Sequence, residues 1–362
     1  MTLLAGNRLS PNHPPPRHGP IGGPGVWYGP ELKLSDKWVH KLSESECDEL
    51  IDAMRRARSR EDDIAVMTKS DFFLPTFGQS LEGLRHEVLN GRGFVLLRNF
   101  PVEGFSFEEI ATMYWGFGTH MGSARSQNTR GHLLGHVTDI TKQYDDPSRR
   151  GYLSRRHLLY HSDSVDMVSL LCLQKAKEGG LSTIVSSYTI HDEMWERRPD
   201  LAERLYRGVP RSRRKEIPEG KGPWYELPVF NYLEGRLVIS YLRQFIDEAQ
   251  EHPDVGPHDS LLIEALDLMT ELAEDPELYL SMNFEPGDIQ LLHNHQILHN
   301  RTEYVDWPEQ ELKRYLLRLW LSPQDGLTLP GAFAERYGSI TPGDRGGVVI
   351  PGTERHVPLT AF

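Results

Sequence analysis

The stretch Tyr160-His161-Ser162-Asp163-Ser164 sets an imidazole and a carboxylate two residues apart in a strand-like context. Strand residues i and i+2 point to one face, so His161 and Asp163 can reach a single ion together. By itself the triplet is weak, because a polar strand end with a satisfied histidine produces it more often than a metal site does. Its surroundings decide the fold. His132 to Asp139, Arg156 to His161, Met167 to Leu173 and Thr183 to Ser187 are short strand candidates separated by turn residues. Such spacing predicts a sandwich or barrel instead of a parallel doubly wound sheet, and no Gly-x-Gly-x-x-Gly follows a strand.

The pattern resumes downstream. Val229 to Tyr232 and Arg236 to Tyr241 flank Leu233-Glu234-Gly235 as a β-hairpin. Tyr279 to Asn283 leads into the turn Glu285-Pro286-Gly287-Asp288, Ile289 to His295 continues the sheet, and Tyr315 to Leu321 closes it. Helices flank this β region. Ser43-x-x-Glu46 and Ser106-x-x-Glu109 are capping boxes, each ahead of apolar residues at helical spacing. Leu81, Leu84 and Val88 mark another helix, and Phe94 to Leu97 reads as a buried strand after Gly91-Arg92-Gly93. Tyr188 to about Arg207 reads helical with a break near Pro199, and the stripe Leu262, Ala265, Leu266, Met269 and Leu272 is suited to pack on the sheet.

Residues 1–26 are crowded with proline and glycine, which deny the backbone helix and ladder bonds, and are expected to form an extended or disordered arm. Trp27 and Tyr28 could clamp its end, and a role in a homo-oligomer is left open. Residues 27–362 read as one domain with a Gly- and Pro-rich tail after about Ser322, with no internal repeat. A formal net charge of −12 argues against a nucleic-acid or anionic-membrane partner. The basic run Arg211-Ser212-Arg213-Arg214-Lys215 is accordingly read as a solvated loop. Cys47 and Cys172 lie in apolar patterns that suit reduced thiols and a cytoplasmic setting, and no signal segment or membrane span is expected.

A second region rich in metal ligands is Leu291 to Arg301, where His293, His295 or His299 could complete a site with His161 and Asp163. Two imidazoles and a carboxylate leave open positions on Fe(II), while zinc can use the same three ligands with a water. Arg314 and Arg318 are the discriminating pair. They share a face of an apolar strand, and a buried guanidinium requires an anion, either an internal Glu or Asp or a bound carboxylate.

Taken together, His161-Ser162-Asp163, Gly179-Gly180-Leu181-Ser182-Thr183, Gly287 to Arg301 and Arg314-Tyr315-Leu316-Leu317-Arg318-Leu319-Trp320-Leu321 resemble the taurine dioxygenase and clavaminate synthase-like family over roughly residues 90 to 322. The resemblance implies a jelly-roll, cupin-like double-stranded β-helix core that is mainly β with flanking helices. It implies Fe(II), 2-oxoglutarate and O2 as cofactor and co-substrates, with His161, Asp163 and His299 as metal ligands and His293 and His295 as bystanders. Arg314 looks like the arginine for the distal carboxylate of 2-oxoglutarate, and Arg318 matches a position near substrate or co-substrate. Where the family usually has a threonine after its Gly-Gly pair, Ser182 stands here with Thr183 next to it, so the hydroxyl donor is open between the two.

The implied reaction releases succinate and CO2 and oxidises a C–H bond, with hydroxylation as the default; Asp163 disfavours halogenation, since halogenating relatives lack the carboxylate. For the substrate, a small polar metabolite, the candidates are Asn128, Tyr160, Asp166 and Arg318, with Ser126-Gln127-Asn128 and the loop from Arg211 to Trp224 bordering the site. Two other classes fit the same residues: a metal- and carboxylate-binding β-barrel sensor without turnover, and a zinc hydrolase.

Overall fold

The computed structural model describes residues 16–60, 63–139, 155–214, 216–350 and 352–360. Both capping boxes form: Ser43 Oγ accepts the Glu46 N–H and Ser106 Oγ the Glu109 N–H, each at 3.3 Å. They start helices α1 (Glu44–Arg58) and α3 (Phe107–Met121), and α2 (Phe77–Asn90) lies between them in sequence. Capping satisfies amide groups that the first helical turn leaves without partners.

The strands that build the site are β1 (Phe94–Arg98), β2 (Leu134–Thr138), β3 (Leu158–His161), β4 (Met167–Gln174), β5 (Ser182–Ser186), β6 (Leu280–Met282), β7 (Ile289–His293), β8 (Ile297–Arg301) and β9 (Tyr315–Ser322). One sheet runs from Val39–Lys41 through β1, β7, β4 and β9, with β2 and Ser123–Ala124 both pairing with β9. The other has the order β6-β5-β8-β3 and is antiparallel throughout. These are the two facing sheets of a double-stranded β-helix.

Side-chain alternation divides the apolar residues among three layers. Leu97, Leu171, Leu291, Leu317 and Leu319 pack outward on α1, α2 and α3. Phe94, Ile184, Leu292, Ile297 and Leu316 fill the space between the sheets. On the outside of the second sheet, Tyr160, Val185 and Leu298 meet α4 (Ser187–Arg197), α5 (Pro199–Arg204) and α6 (Ser260–Glu274). The expected helical break is the start of α5 at Pro199, and the hairpin forms as Phe230–Leu233 against Arg236–Ile239.

Two expectations need correction. The strand read as Ile289 to His295 ends at His293, turns through Asn294, His295 and Gln296, and continues in the other sheet as β8, which carries His299. The turn is wholly buried and lacks glycine and proline, so the usual breaker signal is missing. Arg211 and Arg213 are only 2 % and 5 % exposed, which contradicts a solvated basic loop. The arm is docked where it is described: the Ile21 and Gly22 amides donate to the Asp192 carboxylate at 2.7 and 3.0 Å, and Trp27 Nε1 donates to Arg92 O at 2.9 Å. Residues 1–15 of the arm lie outside the described residues.

The tail after Ser322 folds back over the end of β3. Gly347 N–H donates to Ser164 O at 2.7 Å and Val348 N–H to Ser126 O at 2.8 Å. No described helix is long and apolar enough to cross a membrane.

Candidate metal centre

β3 and β8 are hydrogen-bonded neighbours with His161 directly opposite His299, so strand pairing alone brings the two imidazoles to one face. Their rings lie 4.3 Å apart between centroids. Asp163, just past the end of β3, reaches the same point, with Oδ1 3.7 Å from His161 Nε2 and Oδ2 3.9 Å from His299 Nε2. Among the described residues this is the one cluster of three or more His, Cys, Asp or Glu side chains whose ligand atoms lie within 4.8 Å of one another. His293 and His295 are outside it.

The donor set suits a divalent ion. His161 Nδ1–H donates to Leu159 O at 2.8 Å, which fixes the tautomer and leaves the Nε2 lone pair facing the cluster. Burial, followed by the neighbouring His161, pulls His299 down to about 3, so its ring is neutral. Burial raises the Asp163 carboxyl, but Arg318, the two imidazoles and the Trp320 N–H outweigh it and hold the group at about 2. A carboxylate and two imidazoles converging on one point are the ligands that Fe(II) and similar ions take.

β9 and the residue just before it supply the cations. Arg314, Leu316, Arg318 and Trp320 lie on the inward face, since Leu317, Leu319 and Leu321 point to the helices. Arg318 Nη1 donates to Asp163 Oδ2 at 3.3 Å and Trp320 Nε1 donates to the same oxygen at 2.9 Å. Arg318 Nε donates to Gln127 Oε1 at 2.7 Å. Arg314 is buried, makes no ion pair among the described residues, and leaves Nη1 without a hydrogen bond. Its guanidinium stands 5.3 Å from the Tyr304 ring centroid, and Arg301 stands 4.8 Å from it. Burial and then Arg314 bring Arg301 down to about 10. Gly180 has φ +68°, and a Cβ there would come within 3.1 Å of Arg314 Nε, which accounts for the glycine.

The register separates the two hydroxyl candidates. Ser182 pairs with Arg301 and shares the face of His299, with its Oγ 3.1 Å from Gln290 Oε1. Thr183 pairs with Asn300 on the opposite face and bonds its side chain.

The structure gives the proposed substrate contacts other partners. Tyr160 points away from His161 into the apolar layer under α4 and α6. Asp166 is completely buried, accepting from Arg345 Nε at 2.9 and 3.0 Å, from His295 Nε2 at 2.8 Å and from Ser322 Oγ at 2.8 Å. Asn128 Oδ1 accepts the Arg130 amide at 2.9 Å within its own loop, and its neighbour Gln127 is the residue that touches Arg318. Trp320 and Asn294, whose Oδ1 accepts the Asp163 amide at 3.1 Å, escaped sequence reasoning. Trp320 had a usable signal, since it continues the i+2 series of Arg314, Leu316 and Arg318.

These features define an iron-dependent oxygenase class, and comparison with known proteins agrees. The model of the taurine catabolism dioxygenase TauD, TfdA family matches residues 60–320. The FR-33289 synthase of Streptomyces rubellomurinus is 30 % identical over 329 residues, 88 % of this chain and 95 % of that protein. The taurine hydroxylase-like protein SAT17 of Stachybotrys chartarum is 28 % identical over 311 residues, 81 % and 77 % of the two chains. Among solved structures, asparagine oxygenase with Fe(II), 3-hydroxyasparagine and succinate superposes with TM-score 0.60 at 14 % identity, covering 79 % of this chain and 93 % of that one. The non-heme iron oxygenase OrfP with Fe and α-ketoglutaric acid gives TM-score 0.59 at 13 % identity, covering 78 % and 93 %. The chain belongs to the TauD/TfdA family and is an Fe(II)/2-oxoglutarate-dependent dioxygenase. Nothing in the comparisons favours the sensor or zinc-hydrolase readings.

Proposed function

We propose that His161, Asp163 and His299 hold Fe(II), that Arg314 receives the distal carboxylate of 2-oxoglutarate with Ser182 as hydroxyl donor, and that the enzyme hydroxylates a small polar metabolite. The observation that carries this reading is the buried Arg314, on the face of the triad and without an ion pair among the described residues. A guanidinium in that position is costly unless an anion fills the space before it. Arg301, across the Tyr304 ring, raises the positive potential there.

When bound, iron with 2-oxoglutarate and dioxygen supplies the oxidising chemistry, and 2-oxoglutarate leaves as succinate and CO2. The chain's own residues orient and insulate. The Leu159 carbonyl holds the His161 ring, while Arg318 and Trp320 hold the Asp163 carboxylate by its Oδ2. Phe94, Ile184, Leu292 and Leu316 keep the space between the sheets apolar. Residues from 27 onward form the oxygenase domain in this reading and 1–26 its arm. The free Cys47 and Cys172, the latter pushed up to about 12 by burial, suit a cytoplasmic setting.

Adding Fe(II) and 2-oxoglutarate without oxygen is expected to give a visible charge-transfer absorption. Its absence, or its survival unchanged at limiting 2-oxoglutarate in both Arg314→Ala and Asp163→Ala, would overturn the assignment.

A further inference from the structure

Asp163 lies just past the end of β3, outside its ladder, so contacts from distant segments fix the loop that carries it. Tyr241 O accepts the Ser162 N–H at 2.8 Å, and Asn294 Oδ1 accepts the Asp163 N–H at 3.1 Å. Beyond the ligand the supports come from the tail. Ser164 O accepts the Gly347 N–H at 2.7 Å, Ser164 Oγ accepts from Arg336 Nε at 2.9 Å, and Asp166 accepts from Arg345 Nε at 2.9 Å. The approach is close enough to require glycine, since a Cβ on Gly346, at φ +76°, would lie 2.8 Å from Ser164 O.

The tail also packs on the donor that orients the carboxylate. Trp320 Nε1 donates to Asp163 Oδ2 at 2.9 Å, a shorter contact than the 3.3 Å from Arg318 Nη1. With Oδ2 taken by two donors, Oδ1 is the oxygen left for an ion. The Trp320 indole is buried in a small apolar cluster with Val165, Val168 and Val348, and Ile350 packs against it. Val348 and Ile350 belong to the tail. Val348 is 4 % exposed and the adjoining Val349 is 56 % exposed, so of two neighbouring valines one supports the indole cluster and the other faces water.

We infer that Trp320 and Val348 are positioning residues for the metal: the tail holds the indole, the indole holds Asp163 Oδ2, and Oδ1 is thereby kept directed at the ion. An indole has a single N–H donor in its ring plane, so the direction of this bond follows the packing of the ring. Partners of this kind fix the orientation of a ligating carboxylate and with it the affinity for the ion. The inference rests on the metal-centre reading proposed above, and it adds the segment after Ser322 to the parts of the chain that determine how tightly the ion is held.

The test titrates metal-free, full-length protein anaerobically with Fe(II) by calorimetry and with Co(II), whose visible absorption reports ligand geometry. Trp320→Phe, which keeps an aromatic ring and loses the N–H, should weaken binding of both ions about 10- to 100-fold and alter the Co(II) spectrum. Val348→Ala should weaken binding about 3- to 10-fold, while Val349→Ala should match wild type. Since Val348 acts through the indole N–H, adding Val348→Ala to Trp320→Phe should weaken binding no further. A tail that only stabilised the fold would lower the denaturant midpoint of Val348→Ala and leave metal affinity and the Co(II) spectrum as they are in wild type. That result overturns the inference, as do equal losses in the two valine variants or additive losses in the double variant. If Trp320→Phe fails to fold, the contrast between Val348→Ala and Val349→Ala decides in the same way. Wild-type protein that binds neither ion, or binds both equally well after His161→Ala, would instead sink the metal-centre reading, so the two failures are distinguishable.

Discussion

Arg345 and Arg314 are both buried arginines, and their surroundings differ in one respect. Arg345 meets Asp166 through Nε at 2.9 and 3.0 Å and Nη2 at 2.9 Å, in a knot that also includes His295 and Ser322. Arg314 has Tyr304 beside it and an unbonded Nη1. A buried cation that finds its carboxylate inside the chain is part of the architecture. One that does not marks a place built for a ligand, because burial without a counterion disfavours the folded state until an anion arrives.

The strongest way to break this contrast is to remove the internal carboxylate. Asp166→Asn should destabilise the fold by about 3 to 5 kcal/mol, since it strands the Arg345 charge in the core. A denaturant midpoint within error of wild type would show that the pair is not structural. Arg314→Met should do the reverse, leaving the midpoint equal or higher while the 2-oxoglutarate dissociation constant rises about 100-fold, on the order of 3 kcal/mol. Titrating the charge-transfer absorption measures it.

The pair also predicts a pH dependence. Burial raises the Asp166 carboxyl, but His295 and Arg345 outweigh it and hold the group at about 2, below its unfolded value near 4. Its stabilisation is present above the unfolded value and lost as pH falls through the folded one, a change of about 2 to 3 kcal/mol between roughly pH 4 and pH 2. Asp166→Asn should lack that segment of the stability curve.

Two smaller effects sharpen the ligand side. Gly180→Ala forces a side chain into a positive φ against Arg314, costing about 1 to 2 kcal/mol, and should weaken 2-oxoglutarate binding. Ser182→Ala should raise the 2-oxoglutarate dissociation constant about fivefold, near 1 kcal/mol, whereas Thr183→Ala should leave it unchanged. Equal effects of the two hydroxyls would show that the strand register does not select the donor.

Much of the site was legible as local pattern. His161 and Asp163 declare themselves by i, i+2 spacing, and Arg314 and Arg318 by parity on an apolar strand. Asp166 misled because a charged residue beside a candidate ligand pair resembles a substrate contact. Its partner Arg345 is 179 positions away. Gln127 and Arg318 are 191 positions apart, and no periodicity reports such a meeting.

What the sequence determined alone was which residues could share a face: His161 with Asp163, Arg314 with Arg318, and the apolar stripes of the capped helices all follow from repeats of 2 and 3.6 that backbone geometry imposes. What only the tertiary structure decided was partnership. The buried turn Asn294 to Gln296 sends β8 into the second sheet, the β5–β8 register puts Ser182 and not Thr183 beside His299, and long-range packing gives Arg345 a carboxylate while leaving Arg314 without one among the described residues. Side-chain direction is set within a few residues of the chain, whereas the counterion a buried charge meets depends on which distant segments fold against it.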